Sequence, residues 1–279
     1  MSFRILKASG EDEVFSEEKL RASLIRAGAS DALAERVLQR VVSRADRGEI
    51  SSESVFSQAY KQLKKEKAHV AARYSLKRAV MDLGPTGYPF ERLVGWLLQA
   101  EGWDTQTGVK LEGSVFHEID VVAVKPGRKL LVECKFRSDP GSKIDVKVAM
   151  YVSARARDLL GDLDKTQDEF YLVTNAKFTS DAFAFAGSVN LGLLAWDFPE
   201  GNGLGQRIQA AGLWPVTCLT TLKRSQKRLL LEEGIVLSRE LRDQPELLVR
   251  IGVKGPKQRD TMQEIQDLIR PLSVPGAAT

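Results

Sequence analysis

His117-Glu-Ile-Asp-Val-Val-Ala-Val-Lys-Pro-Gly-Arg-Lys-Leu-Leu-Val-Glu-Cys-Lys-Phe136 holds two apolar, β-rich runs on either side of Pro126-Gly127, and this pattern predicts a β-hairpin. With Lys125 opposite Arg128, residues whose numbers sum to 253 face one another, which sets Asp120 across from Glu133. Directly opposed Cβ atoms on antiparallel strands lie roughly 4.5–5.5 Å apart. Lys135, two residues beyond Glu133, shares its face because strand side chains alternate. Leu130, Val132, Cys134 and Phe136 make the other face wholly apolar, as a buried strand requires.

An Asp, a Glu and a Lys therefore converge on one side of an otherwise apolar hairpin. Two carboxylates so close repel each other, and burying them unpaired is costly. A lysine ammonium and a divalent cation remove that cost. Hard oxygen ligands from one or two carboxylates, with water and phosphate completing the shell, describe a Mg²⁺ site for phosphate chemistry. The competing reading is an exposed hairpin with solvated charges, or a structural Asp–Lys pair.

Asp120, then Glu133-x-Lys135 on the next strand, preceded by a helix carrying Phe90-Glu91, resembles the PD-(D/E)xK nuclease superfamily and, more narrowly, the Mrr-like restriction endonuclease domain. The resemblance spans residues 88–198 and extends to Tyr171-Leu-Val-Thr-Asn175, Phe178-Thr-Ser-Asp-Ala182 and Leu193-Leu-Ala-Trp196, similar to that domain's later strand, helix and strand. It implies a catalytic set of Asp120, Glu133, Lys135 and Glu91. It also implies Mg²⁺ or Mn²⁺ held by Asp120, Glu133, the Cys134 carbonyl and Glu91. The glycine-rich stretch common before the aspartate in that family is reduced here to Gly108 and Gly113.

At 279 residues the chain has room for two or three domains. No apolar run approaches the ~18 residues of a membrane span, the opening residues carry charge too early for a signal peptide, and two cysteines are too few for a disulfide framework. The expectation is a soluble, cytoplasmic protein with no membrane partner. Charge is uneven: residues 1–84 carry 16 Lys/Arg against 12 Asp/Glu, residues 85–200 carry 13 against 17, and residues 201–279 carry 12 against 8. An acidic centre between basic flanks suits a metal-using module between parts that meet polyanions, although excesses this small also arise by chance.

Residues 1–84 read as two short strands, Phe3–Lys7 and Glu13–Phe15, joined by a Ser9-Gly10 turn and followed by four helices, the first three capped by Ser16, by Ser30, and by Ser51 or Ser52. The fourth helix is predicted over His69–Leu83. This order resembles the ATP-cone, a nucleotide-binding regulatory domain, through Ile5-Leu-Lys-Ala-Ser-Gly10, Glu13-x-Phe15, Glu18-Lys-Leu-Arg21 and Val70-Ala-Ala-Arg-Tyr74. The resemblance implies ATP or dATP as an effector, contacted by Lys7, Glu13, Ser16, Lys19 and Ser52. Where that family commonly has Lys-Arg-x-Gly, this chain has Lys7-Ala-Ser-Gly10, and Met81-Asp82 stand where a further lysine is common, with Lys77 and Arg78 the nearest cations.

Around the hairpin, Phe90, Leu93, Val94, Leu97 and Leu98 form a helical stripe with Glu91 at its margin and Gly95 one turn on. Gly95 admits a close neighbour or is a packing choice. A helix is predicted over Ile144–Leu160, with Lys143 and Lys147 one turn apart as candidate phosphate contacts or a solvated face, and with Arg155 and Arg157 at the surface. Thr174-Asn175 reads as a turn or a phosphate contact. Residues 201–279 read as a third, all-helical module after a flexible Gly201-Asn-Gly-Leu-Gly205 connector, with Ser273–Thr279 disordered. Leu231-Glu-Glu-Gly-Ile-Val236 and Leu248-Val-Arg-Ile-Gly-Val253 resemble helix-hairpin-helix modules, whose hairpin N–H groups grip DNA phosphates. Lys254, Lys257 and Arg259 cluster at the second, with Lys223, Arg224, Lys227 and Arg228 as another basic stretch; such hairpins also serve protein docking.

The expected fold is thus α/β, a restriction-endonuclease-like mixed sheet flanked by helices over 85–200, with a mainly helical ATP-cone-like domain over 1–84 and a small all-α module over 201–279. The expected function is a metal-dependent DNA endonuclease or exonuclease under nucleotide control, assembled as a homo-oligomer. The alternative is a catalytically silent, nucleotide-responsive DNA-binding or oligomerising regulator.

Overall fold

In the computed structural model, which describes residues 4–6, 12–45, 50–161 and 168–271, the hairpin forms in the predicted register. Strands β5 (Phe116–Lys125) and β6 (Arg128–Lys135) pair antiparallel from Lys125↔Arg128 to Val121↔Val132, every pair summing to 253. Gly127, at φ +74°, supplies the left-handed residue the turn needs. The Ser9-Gly10 turn, Lys7 and the Ser273–Thr279 tail lie outside the described residues.

The chain divides into two compact units: Met1–Ala79, Trp214–Leu230 and Ser238–Thr279 form one, Val80–Leu213 and Leu231–Leu237 the other. The second unit is built on a five-stranded sheet in the order β10-β8-β6-β5-β4, with β4 at Asp104–Glu112, β8 at Glu169–Thr174 and β10 at Gly192–Leu194. β4, β5 and β6 form an antiparallel meander, whereas β6, β8 and β10 run parallel. Parallel strands need a crossover, and helices α7 (Val146–Leu160) and α8 (Ser180–Ser188) supply one after β6 and one after β8. Leu131, Phe170, Leu172 and Leu193 pack with Ala149, Val152, Ala156, Ala182 and Ala186 of those helices. Leu130, Val132 and Val173 instead meet Val94, Leu97 and Leu98 of α6 (Tyr88–Ala100). The central strand is therefore covered on both faces, which explains its nearly continuous apolar run.

Two expectations for this unit are corrected. Residues 143–144 are not helical: β7 (Lys143–Ile144) pairs in parallel with β9 (Lys177–Phe178), and Asp145 caps α7 through a bond from Val148 N–H. Gly201–Gly205 is not a flexible connector. Gly203 has no room for a Cβ against the Trp196 carbonyl and Phe198 main chain, and it opens helix α9 (Leu204–Ala210). Leu204 and Ile208 are buried one turn apart, an amphipathic pattern too short to stand out beside three glycines.

The first unit opens with strands β1 (Arg4–Leu6), β2 (Asp12–Val14) and β3 (Ile50–Ser51) in the order β2-β1-β3. Helices α1 (Glu17–Arg26), α2 (Asp31–Ala45) and α3 (Ser52–Glu66) start where Ser16, Ser30 and Ser51 accept bonds from the N–H groups of Lys19, Leu33 and Ser54. The two-residue β3 is too short to carry a pattern. The single helix predicted over His69–Leu83 is broken into α4 (Ala68–Tyr74) and α5 (Leu76–Met81) at Ser75, whose hydroxyl bonds back to the Ala72 carbonyl.

The C-terminal part of this unit contains the 3₁₀ turn Val216–Cys218, helix α10 (Arg224–Glu232) as far as Leu230, and helices α11 (Ser238–Asp243), α12 (Glu246–Arg250) and α13 (Pro256–Ile269). Of these, α13 packs on α4 and α11 on α13. Arg73 Nη2 donates to the carbonyls of Asp267, Leu268 and Arg270 at 2.6–3.0 Å, capping the end of α13. Lys64 donates to the Thr220 carbonyl at 2.7 Å. The buried Glu264 carboxylate accepts bonds from Thr220 N–H, Thr221 N–H and the Thr221 hydroxyl.

Candidate active site

Four residues singled out by sequence gather at one end of the sheet. Glu91 lies in the first turn of α6, held there by Phe90, whose ring packs 5.7 Å from that of Phe136 just past Lys135. Asp120 sits where the β5–β6 ladder has stopped, and its Oδ2 accepts the Cys134 N–H at 2.6 Å. Within an extended strand the N–H and C=O of one residue point to the same side, so the Cys134 carbonyl also faces the Asp120 edge. Glu133 is 3% exposed, and its Oε1 accepts from Lys135 Nζ at 2.6 Å. Across from Asp120 on β4 stands Gly108, at φ +65°. The ladder skips that position, and any side chain there would be strained.

Arg155 is a correction. Expected at the surface, it is 9% exposed; one guanidinium nitrogen donates to Glu133 Oε2 and another to the Glu118 carbonyl. Its neighbour Arg157 is exposed, as expected. A signal for Arg155 did exist: it lies seven residues after Val148 and four before Leu159, on the apolar stripe of α7, where a charge needs a buried partner.

The electrostatics follow from this crowding. Burial first, and then the Glu133 charge, push the Asp120 carboxyl from 3.8 to about 6. Burial, followed by the charges of Asp120 and Glu133, pushes Glu91 from 4.5 to about 7. Lys135 works against both shifts and Arg155 against that of Asp120, without cancelling them. The site is short of positive charge on the Asp120–Glu91 side, and a divalent cation suits that deficit. Among the described residues no group of three or more His, Cys, Asp or Glu side chains is already arranged as a metal cage. The reason is visible in Glu133, whose two oxygens are turned to Lys135 and Arg155. Each carboxylate oxygen has a second lone pair, however, so these ion pairs do not exhaust the donors.

Thr174 and Asn175 act on the main chain. The Thr174 hydroxyl donates to the Lys135 carbonyl at 2.6 Å, and the Asn175 amide exchanges two bonds with the main chain of Arg137. Both are buried, and they clamp the strand that carries Glu133 and Lys135. Gly95 is a packing residue: a Cβ there would press on Thr107. Lys143 and Lys147 are exposed, on β7 and α7 respectively.

In the first unit, Lys19 pairs with Glu13 at 2.5 Å, Ser16 caps α1, and Ser52 opens α3. Arg78, one of the two substitute cations, pairs with Glu53 through both carboxylate oxygens and lies 3.4 Å over the Phe56 ring. Lys254 and Arg259 are exposed, and Lys257 is half-buried beside Gln226. Both glycine turns form, Gly234 of the second unit at φ +77° and Gly252 of the first at φ +78°, with Val236 and Val253 buried. Lys227 is not part of an open basic face, since its Nζ donates to the Thr217 carbonyl.

Comparison with known proteins gives three successive domain matches. Residues 3–82 match the ATP cone domain, residues 85–200 a restriction endonuclease domain, and residues 214–269 the AF1548-like C-terminal domain. An uncharacterized protein of Archaeoglobus fulgidus is 34% identical over 178 residues, which are 62% of this chain and 98% of that protein. The crystal structure of AF1548, a protein of unknown function, superposes with a TM-score of 0.54 at 32% identity, covering 66% of this chain and 98% of that one. The segment likened above to helix-hairpin-helix modules is thus the AF1548-like C-terminal domain.

Proposed function

Since the chain belongs to the AF1548-like family and joins an ATP cone to a restriction endonuclease domain, we propose that it is a metal-dependent nuclease that hydrolyses DNA phosphodiester bonds under nucleotide control. The observation that carries the reading is the meeting of Asp120, Glu133, Lys135 and Glu91, with two of the carboxyls displaced upward by burial and by one another. Asp120, Glu133, Glu91 and the Cys134 carbonyl are the ligands for Mg²⁺ or Mn²⁺. Such an ion, when bound, polarises a phosphoryl oxygen and acidifies a water.

The side chains of the protein do the rest. Lys135, 30% exposed beside its buried Glu133 partner, presents an ammonium where negative charge grows on the pentacovalent phosphate. Asp120, fixed by Cys134 N–H through one oxygen, offers the other to the ion. Lys143, Lys147, Lys254, Lys257 and Arg259 hold the backbone of duplex DNA without reading its sequence. ATP or dATP acts on the cone through Lys7, Glu13, Ser16, Lys19 and Ser52, and the active form is a homo-oligomer.

Incubation with plasmid DNA and Mg²⁺ or Mn²⁺, with and without ATP, tests this directly. Wild type is expected to nick or cut, and Lys135→Ala and Glu133→Ala each to slow cleavage by about 100-fold or more. Cleavage that survives both substitutions assigns the activity to another site. DNA binding without cleavage in every metal favours the silent regulator, a reading to which the engaged Glu133 oxygens lend their weight.

A further inference from the structure

The β5–β6 ladder ends at Val121↔Val132, one residue short of the Asp120–Glu133 pair. Past that point β5 stays bonded to β4 as far as Glu112↔Phe116, and β6 stays bonded to β8 as far as Lys135↔Thr174. The sheet therefore opens into a fork, and the carboxylates sit on its prongs. With no main-chain pairs across the opening, its width and the aim of its side chains depend on whatever spans it.

Two side-chain bridges do so. Asp120 reaches from β5 to the Cys134 N–H of β6. Arg155 rises from α7 and donates to Glu133 on one prong and to the Glu118 carbonyl on the other. Its Nε is buried without a partner among the described residues, and the Tyr151 ring lies 5.7 Å from Cζ. A guanidinium suits this post because its donors are fixed in one plane, so binding both prongs sets the distance between them. A buried Glu133 without that charge would also have only Lys135 to offset it.

We propose that Arg155 is the positioning residue of this site: it holds the fork at working width and keeps the Glu133 carboxylate aimed, which leaves the Lys135 ammonium available to the substrate. The catalytic part of this inference rests on the nuclease reading above. Arg155 touches neither substrate nor metal; it acts through Glu133.

The test compares Arg155→Met, Arg155→Lys and wild type in the full-length chain, with folding checked by circular dichroism. Calorimetric titration of metal-free protein with Mn²⁺ should show affinity weakened about 10–100-fold in Arg155→Met, as for partners of metal ligands generally. The kcat for DNA should fall in the same range while KM stays within about twofold, since Arg155 does not touch the substrate. Arg155→Lys should recover part of both, because charge remains but the second bond is gone. Amide hydrogen exchange at Cys134 should quicken in Arg155→Met while Leu131, inside the ladder, stays protected. A folded Arg155→Met with wild-type Mn²⁺ affinity, kcat and Cys134 exchange overturns the proposal. If Arg155→Met does not fold, Arg155→Lys carries the same three readouts. Wild type that neither binds Mn²⁺ nor cleaves sinks the nuclease reading instead, and exchange at Cys134 alone then decides whether Arg155 sets the fork.

Discussion

Glu91 and Asp120 hold their protons more tightly in the folded chain than in the unfolded one, at about 7 and about 6 against 4.5 and 3.8. Folding therefore disfavours their ionised forms. The penalty is absent below the unfolded values, grows as pH rises through the window between them and the folded values, and is complete above about 7. The metal-free protein is expected to melt at lower temperature at pH 8 than at pH 5.5, and Mn²⁺ should raise the melting temperature more at the higher pH. His69, whose pKa is lowered mainly by burial, acts in the opposite sense, because its stabilising neutral form is lost as pH falls. The readout is thus the difference between wild type and Glu91→Gln/Asp120→Asn, scanned from pH 5.5 to 8. Equal slopes for the two proteins would remove the crowded-carboxylate picture. At this scale the sequence was most informative where spacing dictates position: one turn set the register as far as Val121↔Val132, but not the opening of the ladder just before Asp120 and Glu133. Arg155 escaped because, in Ala154-Arg-Ala-Arg157, it looks as solvated as Arg157 unless its place on the apolar stripe is weighed.

Helices were legible where a capping serine precedes an apolar stripe, as for α1, α2 and α3, and less so where a hydroxyl inside a run breaks it, as at Ser75. The seven-residue α9 and the two-residue β3 and β7 carry too little pattern to be seen without their partners. What anchors α13 was equally hidden, since it depends on residues almost 200 positions away. Arg73 is 8% exposed, donates to two α13 carbonyls and to that of the C-cap residue Arg270, and lies 5.7 Å from the Trp214 ring centre. In Arg73→Ala those carbonyls lose their common donor, and hydrogen bonds to a charged group are worth about 1.5–3 kcal/mol. Urea unfolding should show a loss of that order, together with faster amide exchange in the last turn of α13. If stability is unchanged, the helix end is held by packing alone. Arg73→Lys should give an intermediate loss, because one ammonium cannot reproduce the spread of the guanidinium.

Across the whole chain, the three domain matches follow the alternation of charge, basic over 1–84, acidic over 85–200 and basic again over 201–279. No helix among the described residues is long and apolar enough to cross a membrane. The sequence could not reveal that the last segment shares a compact unit with the cone, because that union rests on Arg73, Lys64 and Thr217, none of which belongs to a local pattern. If the basic C-terminal segment meets DNA through phosphates, its contribution is largely counterion release and must show in salt dependence rather than in sequence preference. Lys254 and Arg259 are the exposed cations at the second glycine turn, whereas Lys257 is partly tied to Gln226. The Lys254→Ala/Arg259→Ala variant should bind duplex DNA more weakly at low salt, and its plot of log affinity against log salt should flatten by about 0.9 for each phosphate that is no longer neutralised. Because the proposed chemistry is assigned to Asp120, Glu133 and Lys135 rather than to these two cations, kcat at saturating DNA should be retained while KM rises. A slope identical to that of wild type, measured from about 50 to 200 mM salt, would move the DNA-binding surface away from this turn and leave Lys143 and Lys147 as the next pair to substitute.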